Sequence, residues 1–545
     1  SMPSSRASSA RARRTAAIRV TVGVVVVLVG AAALLGASEG SALARPGGGS
    51  SYSGGSRSSS RSSSGSGSSS GGGGGFVLDL FLFLIRLCIT APAIGVPLVL
   101  VLVGVVVAFA IAKKRNGALH SWSVGVPGGD GSGDDDDARP SAAPRARAAS
   151  GSAHVSARAR LEGLRRYDEN FSLVLFEDFV AALYVEVQHA RGARALDKLT
   201  AYVSEAARAT FGSQGVLGVR DVLVGAMRVV SVDLGPNDAS PDARIAVDVE
   251  LETNFTELRD GGREQAFYAH ERWRLVRRRG ARSRAPDKTR VFPCPSCGAP
   301  QAHVIAGVCR HCGQNVATGA FDWVLERMTL VACETRGPML TATTEEVGND
   351  FPTVVDKDAQ ARLRALSARD PAFDYMAFEA RAKLVYASFQ TGWANRDLAP
   401  MRPYFTDNLF QVQAYWIEAY TRQRLRNVTE RARITAIHLA RVTSDKFFDA
   451  ITVRVFATSL DYTVTDEGKL VAGSKSRERA YTEYWTFIRA AGRKGPSHVD
   501  PACPNCGAPL AISMAGVCTY CSAKVTSGEF DWVLSRIEQD DSYEG

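Results

Sequence analysis

Histidine is scarce in this chain, eight in 545 residues, and none of the eight stands in a recognisable arrangement with Ser, Cys or Asp. The eight are His120, His154, His189, His270, His303, His311, His438 and His498. That absence removes the usual nucleophile–base motifs and leaves an enzymatic reading on fold analogy alone. His438 and Asp449, both on expected strands, are the candidates for such chemistry, set against the simpler reading of a core histidine with its hydrogen bonds satisfied. Unpaired cysteine is also scarce. Eight of the ten cysteines fall in four Cys-x-x-Cys pairs, while Cys88 and Cys333 stand alone in or after apolar segments and read as inert buried thiols. Concentrated positive charge is thin too. The net charge of +9 is spread along the chain, which argues for solubility before a polyanion partner. Arg clusters such as Arg277-Arg278-Arg279 come without interleaved aromatics, so nucleic acid is not the expected partner.

What is present begins with two apolar segments. Five arginines precede the run from Val20 to Gly36, and Ser41-Ala42-Leu43-Ala44 follows it. A basic start, a short apolar core and an Ala-x-Ala end are the parts of a signal peptide cleaved after Ala44; the alternative is an uncleaved first hydrophobic segment. Residues 45–75 are almost wholly Gly, Ser and Arg and read as a flexible linker. In 76–115, Pro92 and Pro97 divide an amphipathic piece from a span over Ile94 to Ala112, and Lys113-Lys114-Arg115 follow at once. The positive-inside rule then places everything beyond residue 115 in the cytoplasm, whether the chain crosses once or as a hairpin. Residues 116–157, with Asp134 to Asp137, read as a solvated spacer rather than a calcium site.

The remainder shows an internal offset of 202 residues. Phe171-Ser-Leu-Val-Leu-Phe176-Glu177 is matched by Phe373-Asp-Tyr-Met-Ala-Phe378-Glu379. Phe176, Val180, Leu183 and Val187 mark one helix face, and Phe378, Ala382, Val385 and Phe389 mark the corresponding one. Each half then turns to β-type segments: Val229 to Leu234, Ile245 to Leu251 and Ala266 to Val276 in the first, Ile434 to Val442, Phe447 to Leu460 and Tyr481 to Arg489 in the second. Pro236-Asn237 and Asp466-Glu467-Gly468 supply turns. Helices followed by an antiparallel sheet define an α+β class, with domains expected at 158–290 and 370–495 and a connector at 331–369.

After each sheet segment comes a cysteine module. Cys294, Cys297, Cys309 and Cys312 have two, eleven and two residues between them, and Cys503, Cys506, Cys518 and Cys521 have the same spacing. Two such knuckles complete a closed tetrahedral shell of four thiolates, so two structural zinc ions are expected, in ribbons within 291–330 and 500–540. A secreted disulfide framework would contradict the topology argument, because thiols persist in the cytoplasm. His311 lies between ligands, but Tyr520 replaces it in the second module, so it is not read as a ligand. Phe321-Asp322-Trp323-Val324-Leu325 and Phe530-Asp531-Trp532-Val533-Leu534 follow the modules and read as segments docking back on the parent domain.

With Asp370-Pro-Ala-Phe373-Asp374, Gly392-Trp393-Ala394-Asn395-Arg396-Asp397-Leu398 and Met401-Arg402-Pro403-Tyr404-Phe405-Thr406 in view, the chain resembles the Tim-forty-four-like family, bacterial membrane-anchored relatives of a mitochondrial import-motor tether. The first half departs from the pattern, with Ala193-Arg194-Ala195-Leu196-Asp197 in place of Asn395 to Leu398. The resemblance implies two cone-shaped domains of helices on a curved antiparallel sheet, related to the nuclear-transport-factor-two-like fold. It also implies a scaffold or adaptor at the cytoplasmic face of the cell (inner) membrane, with the lipid bilayer, a protein partner and an apolar or lipid ligand as partners. The alternatives are a small-molecule enzyme of that fold and a ribosome- or nucleic-acid-binding tether. Trp393, Tyr415, Trp416 and Tyr420 are candidates for a pocket or partner surface, or for plain core.

Overall fold

The computed structural model describes residues 156–545 apart from 213–214, 237–239, 336–339, 341–348 and 541. The expected signal, membrane and linker segments, Cys88 and the Asn237 turn lie outside those residues. Among the described residues no helix is long and apolar enough to cross a membrane.

The first half contains α1 (Ala157–Glu162), α2 (Leu173–Gly192) and α3 (Glu205–Thr210), then strands β1 (Val216–Asp233), β2 (Arg244–Arg259) and β3 (Arg263–Arg278). A two-stranded hairpin of β4 (Val304–Ile305) and β5 (Val308–Cys309) precedes β6 (Val324–Glu334). The second half repeats the order with α4 (Ala359–Arg369), α5 (Tyr375–Asn395), α6 (Asp407–Arg422), β7 (Leu425–Ser444), β8 (Phe448–Thr465), β9 (Leu470–Ala490) and β10 (Val533–Gln539). The sheets run β1-β2-β3-β6 and β7-β8-β9-β10, and every ladder in them is antiparallel. The expected α+β mixture is therefore present in both halves.

The two long helices start where the side-chain caps stand. Ser172 Oγ accepts the Leu175 amide at 3.4 Å, and the Asp374 carboxylate accepts that of Met376 at 2.9 Å. The α5 helix ends at Arg396 in the left-handed region, where the Asp397 amide reaches back to the Gly392 carbonyl at 2.8 Å. Only glycine fits at 392, since a Cβ there would meet the Asp397 carbonyl oxygen at 2.6 Å. The apolar faces read from the sequence are the buried ones: Phe176, Val180, Leu183 and Val187 in α2, and Phe378, Ala382, Val385 and Phe389 in α5.

Three expectations are corrected. The cysteine modules do not follow finished sheets, because the Trp-Val-Leu segments after them lead into β6 and β10, the fourth strands. Each module is thus inserted between strands three and four of its own sheet. The strands are also longer than the apolar runs, as twist and bulges carry polar residues along the ladder; β1 alone has four register shifts. Cys333 is exposed on β6, not buried, because among the described residues that end of the edge strand has no layer packed on it. The Asp466 to Gly468 turn is present, with Gly468 at φ +82° and the Thr465 amide bonded to the Lys469 carbonyl at 2.9 Å.

The halves pack on each other. Along β8, Ile451, Val453, Val455 and Ala457 join the core under α5, while Phe448 and Ala450 turn the other way and meet Leu175 of the first half together with Ile488 and Val533. That alternation explains why β8 is buried on both faces. Ion pairs rim the contact: Arg158 with Glu177 and Glu538, Arg536 with Glu177, and Arg441 with Glu162. At the other end Val412, Tyr415 and Trp416 of α6 cover Leu223 and Tyr268.

Candidate metal centres

The eight paired cysteines meet in two groups of four, one per half. All four knuckles make one turn. The Cys294 amide bonds to the Ala299 carbonyl (2.8 Å) while the Gly298 amide returns to the Cys294 carbonyl (2.9 Å); Cys309, Cys503 and Cys518 repeat this with Gln314, Ala508 and Ala523. Such a turn needs a left-handed residue after the second cysteine. Gly298, Gly313 and Gly507 supply it at φ +76°, +74° and +72°, and Ser522 adopts it at +59°.

Within each group the ligand sulfurs lie within 4.8 Å of one another. Cys294 Sγ is 4.0 Å from Cys312 Sγ, Cys297 Sγ is 3.9 Å from Cys309 Sγ, and Cys503 Sγ is 3.9 Å from Cys521 Sγ. A tetrahedron with metal–sulfur bonds of about 2.3 Å has edges of about 3.8 Å, so the sulfurs fit one soft divalent ion per group and are too far apart for disulfides. The thiols differ in acidity. Burial pushes Cys294 up to about 12, whereas the Gln314 amide draws Cys312 down to about 7. In the second group the Asn505 side-chain amide, 3.4 Å from Cys521 Sγ, brings that thiol down to about 6, helped by the Ala523 amide. Four sulfurs this close repel when ionised together, and a bound cation is what permits it. An ion held by four protein ligands would have no open position for water or substrate. His311 Nδ1 stands 3.6 Å from Cys297 Sγ, beside the cluster and exposed; Tyr520 is exposed in the other ribbon.

A clamp that sequence reasoning missed holds each ribbon root. Arg277, on β3, pairs with Asp168 at 2.7 Å with both side chains fully buried, and its guanidinium lies 4.8 Å from the Trp323 ring. Arg489, on β9, pairs with Asp370 at 3.0 Å and lies 4.7 Å from the Trp532 ring. Helix start, third strand and returning Trp are thereby locked at one point on each side of the inserted ribbon. The signal was available as Asp168 and Asp370 at the same 202-residue offset, but nothing local marks their partners.

The other candidates disperse. Trp393 and Tyr420 belong to the second-half core, with Trp393 Nε1 donating to Asn427 Oδ1 at 2.7 Å, whereas Tyr415 and Trp416 form the contact between halves. His438 is exposed against the Phe456 ring, and it faces Arg454 across the ladder. Asp449 is buried under Arg369 and Ser444, so the two do not meet. Of the arginine cluster, Arg277 is buried, Arg279 donates to the Leu234 and Pro236 carbonyls, and Arg278 pairs with Asp242, so no continuous basic face results.

The Tim44-like domain family matches residues 359–498. That span starts with α4 and ends just past β9, before the second ribbon. Among solved structures, an "Ntf2 like protein involved in plasmid conjugation" is similar at 7% identity, covering 66% of this chain and 94% of that chain, with a TM-score of 0.17. A comparison with curated proteins returned no match.

Proposed function

We propose that the chain is a membrane-tethered scaffold whose two Tim-forty-four-like halves, products of an internal duplication, hold a protein or lipid partner at the cytoplasmic face of the cell membrane. In this reading each half is cone-shaped and related to the nuclear-transport-factor-two-like fold, and each four-cysteine cluster holds one zinc ion. The observation that carries it is the Tim44-like match over the helix-and-sheet unit of the second half, in a chain whose hydrophobic run at 94–112 is followed by Lys113-Lys114-Arg115. Thiolate-only ligand sets favour zinc among cytoplasmic divalent ions. Tethering through the expected linker of 116–157 raises the effective concentration of the paired halves for anything held at the same bilayer. Fractionation and topology mapping of the full chain test this. The scaffold reading expects the chain in alkali-resistant membranes, a C-terminal tag reachable only from the cytoplasmic side, and two zinc ions per chain. A tag reachable from outside would overturn it.

A further inference from the structure

The first turn of α6 joins two different contacts. Asp407 accepts from Arg402 (2.5 Å), from Lys524 (2.7 Å) and from Thr526 (3.4 Å). Arg402 is buried and its Nε donates to the Met514 carbonyl at 2.7 Å, while Lys524 also donates to the Ala515 carbonyl at 2.6 Å. Met514, Ala515 and Lys524 all belong to the second ribbon. Gly516 presses this loop against Arg402 so closely that a Cβ would lie 2.5 Å from the guanidinium. The next residue, Asn408, looks the other way. It donates to the half-buried Asp178 carboxylate of α2 and accepts from Arg290, on the stem of the first ribbon, at 2.8 Å.

We propose that metal binding in the second ribbon is coupled to the docking of the two halves, through Arg402 and Lys524 on Asp407 and Asn408 on Asp178. The coupling rests on the reading of the second four-cysteine group as a metal site. With the four sulfurs held, the Met514 and Ala515 carbonyls are fixed and both cations stay on Asp407. When the knuckles open, Lys524 leaves with the loop, and Asp407 is left under-neutralised beside Asp178, whose ionisation it already opposes. Like charge then works against the junction that Asn408 completes. Among the described residues the first ribbon has no such path from its loop: Thr200 stands at the position of Arg402, and Tyr202 and Phe292 anchor that module by ring contact at 5.2 Å. Linkage makes the effect reciprocal, so separating the halves weakens metal retention in the second ribbon.

Hydrogen exchange on the full chain in detergent tests this, with metal content read in parallel by elemental analysis. Chelation and Cys518→Ser are expected to speed exchange at residues 173–180 by about 5- to 150-fold, the usual range for coupled sites, with residues 205–210 unchanged. Lys524→Met keeps every cysteine; it is expected to loosen the same amides with two metal ions still bound. Cys309→Ser should give a smaller change, carried by Arg290 alone. The proposal is overturned if metal leaves the second ribbon and 173–180 stays protected, if Lys524→Met leaves those amides unmoved, or if Cys309→Ser matches Cys518→Ser. A wild-type chain without metal would overturn the metal reading itself, and this coupling with it.

Discussion

The two halves share one element order and differ in what covers them. In the second half the sheet is enclosed on both faces, by α5 on one side and, on the other, by Leu175 of the first half together with Val354 of the connector and Tyr543. In the first half the equivalent row is Ala246, Val276 and Val324, a small buried apolar cluster of its own, beside which Arg244, Asp248, Arg274 and Glu326 pair with one another. The end of β6 exposes Leu330 and Val331, where β10 is largely covered. One helix start docks on the neighbouring sheet and the equivalent helix start, with Met376 exposed, docks on nothing among the described residues. A shared topology therefore does not imply shared packing: the first half covers part of the second-half sheet with α2, and the second half covers Leu223 and Tyr268 of the first with α6.

The largest test of that asymmetry is metal loss. Cys309→Ser and Cys518→Ser should each remove one ion, and the second should lower the thermal midpoint more, because its ribbon carries the Arg402–Asp407 network. Both losses should fall below the roughly 10–16 kcal/mol of free-standing zinc-finger peptides, since each ribbon is rooted in a sheet at both ends. Equal midpoints for the two variants would show that the ribbons are interchangeable staples. Next in size come the clamps. Asp168→Ala strands Arg277, and Asp370→Ala strands Arg489, each in a buried site, at about 3–5 kcal/mol in denaturant unfolding. If the two clamps are equivalent despite the different cover of their halves, the two losses should match within error.

How much of this was legible follows from where each signal sits. The helix faces were readable because Phe176 to Val187 and Phe378 to Val385 repeat at helical spacing, and burial of one stripe is what such spacing encodes. The cysteine groups were readable because a knuckle is local: two ligands and a left-handed residue within five positions. The fourth strands were not. In β6, Glu326, Arg327 and Thr329 interrupt the apolar residues, and pairing with β3 spans the whole inserted ribbon. Nor could alternation reveal that Phe448 and Ala450 face another half, since a strand covered on both sides reads as one apolar run. The clamps link residues more than a hundred positions apart and leave no local trace.

A smaller effect is expected at the docking ridge. Leu175→Ala removes the side chain that enters the second-half sheet and should cost about 2–5 kcal/mol, read as a denaturant midpoint. At the equivalent, half-buried position Ala377→Leu should change stability by about 0.5 kcal/mol or less, because no other half is docked there among the described residues. A cost at Ala377 comparable to that at Leu175 would mean that the second helix start is covered as well.

The finest contrast is at Asp178, whose counterpart at the same offset is the exposed Ala380. Burial pushes the Asp178 carboxyl up to about 6, with Asp407 adding to the rise and Arg290 and Asn408 working against it. The unfolded value is near 3.8, so the folded junction holds its proton to higher pH than the unfolded chain does. Stability from this group is then fullest below about pH 4, falls as pH rises between about 4 and 6, and is flat above. Asp178→Asn keeps an oxygen for Asn408 while removing the charge. It should erase that slope and make the variant more stable than wild type at pH 7, with little difference at pH 4. Urea midpoints across that range decide it: the same slope in the variant would place the titration elsewhere and leave the junction indifferent to this carboxylate.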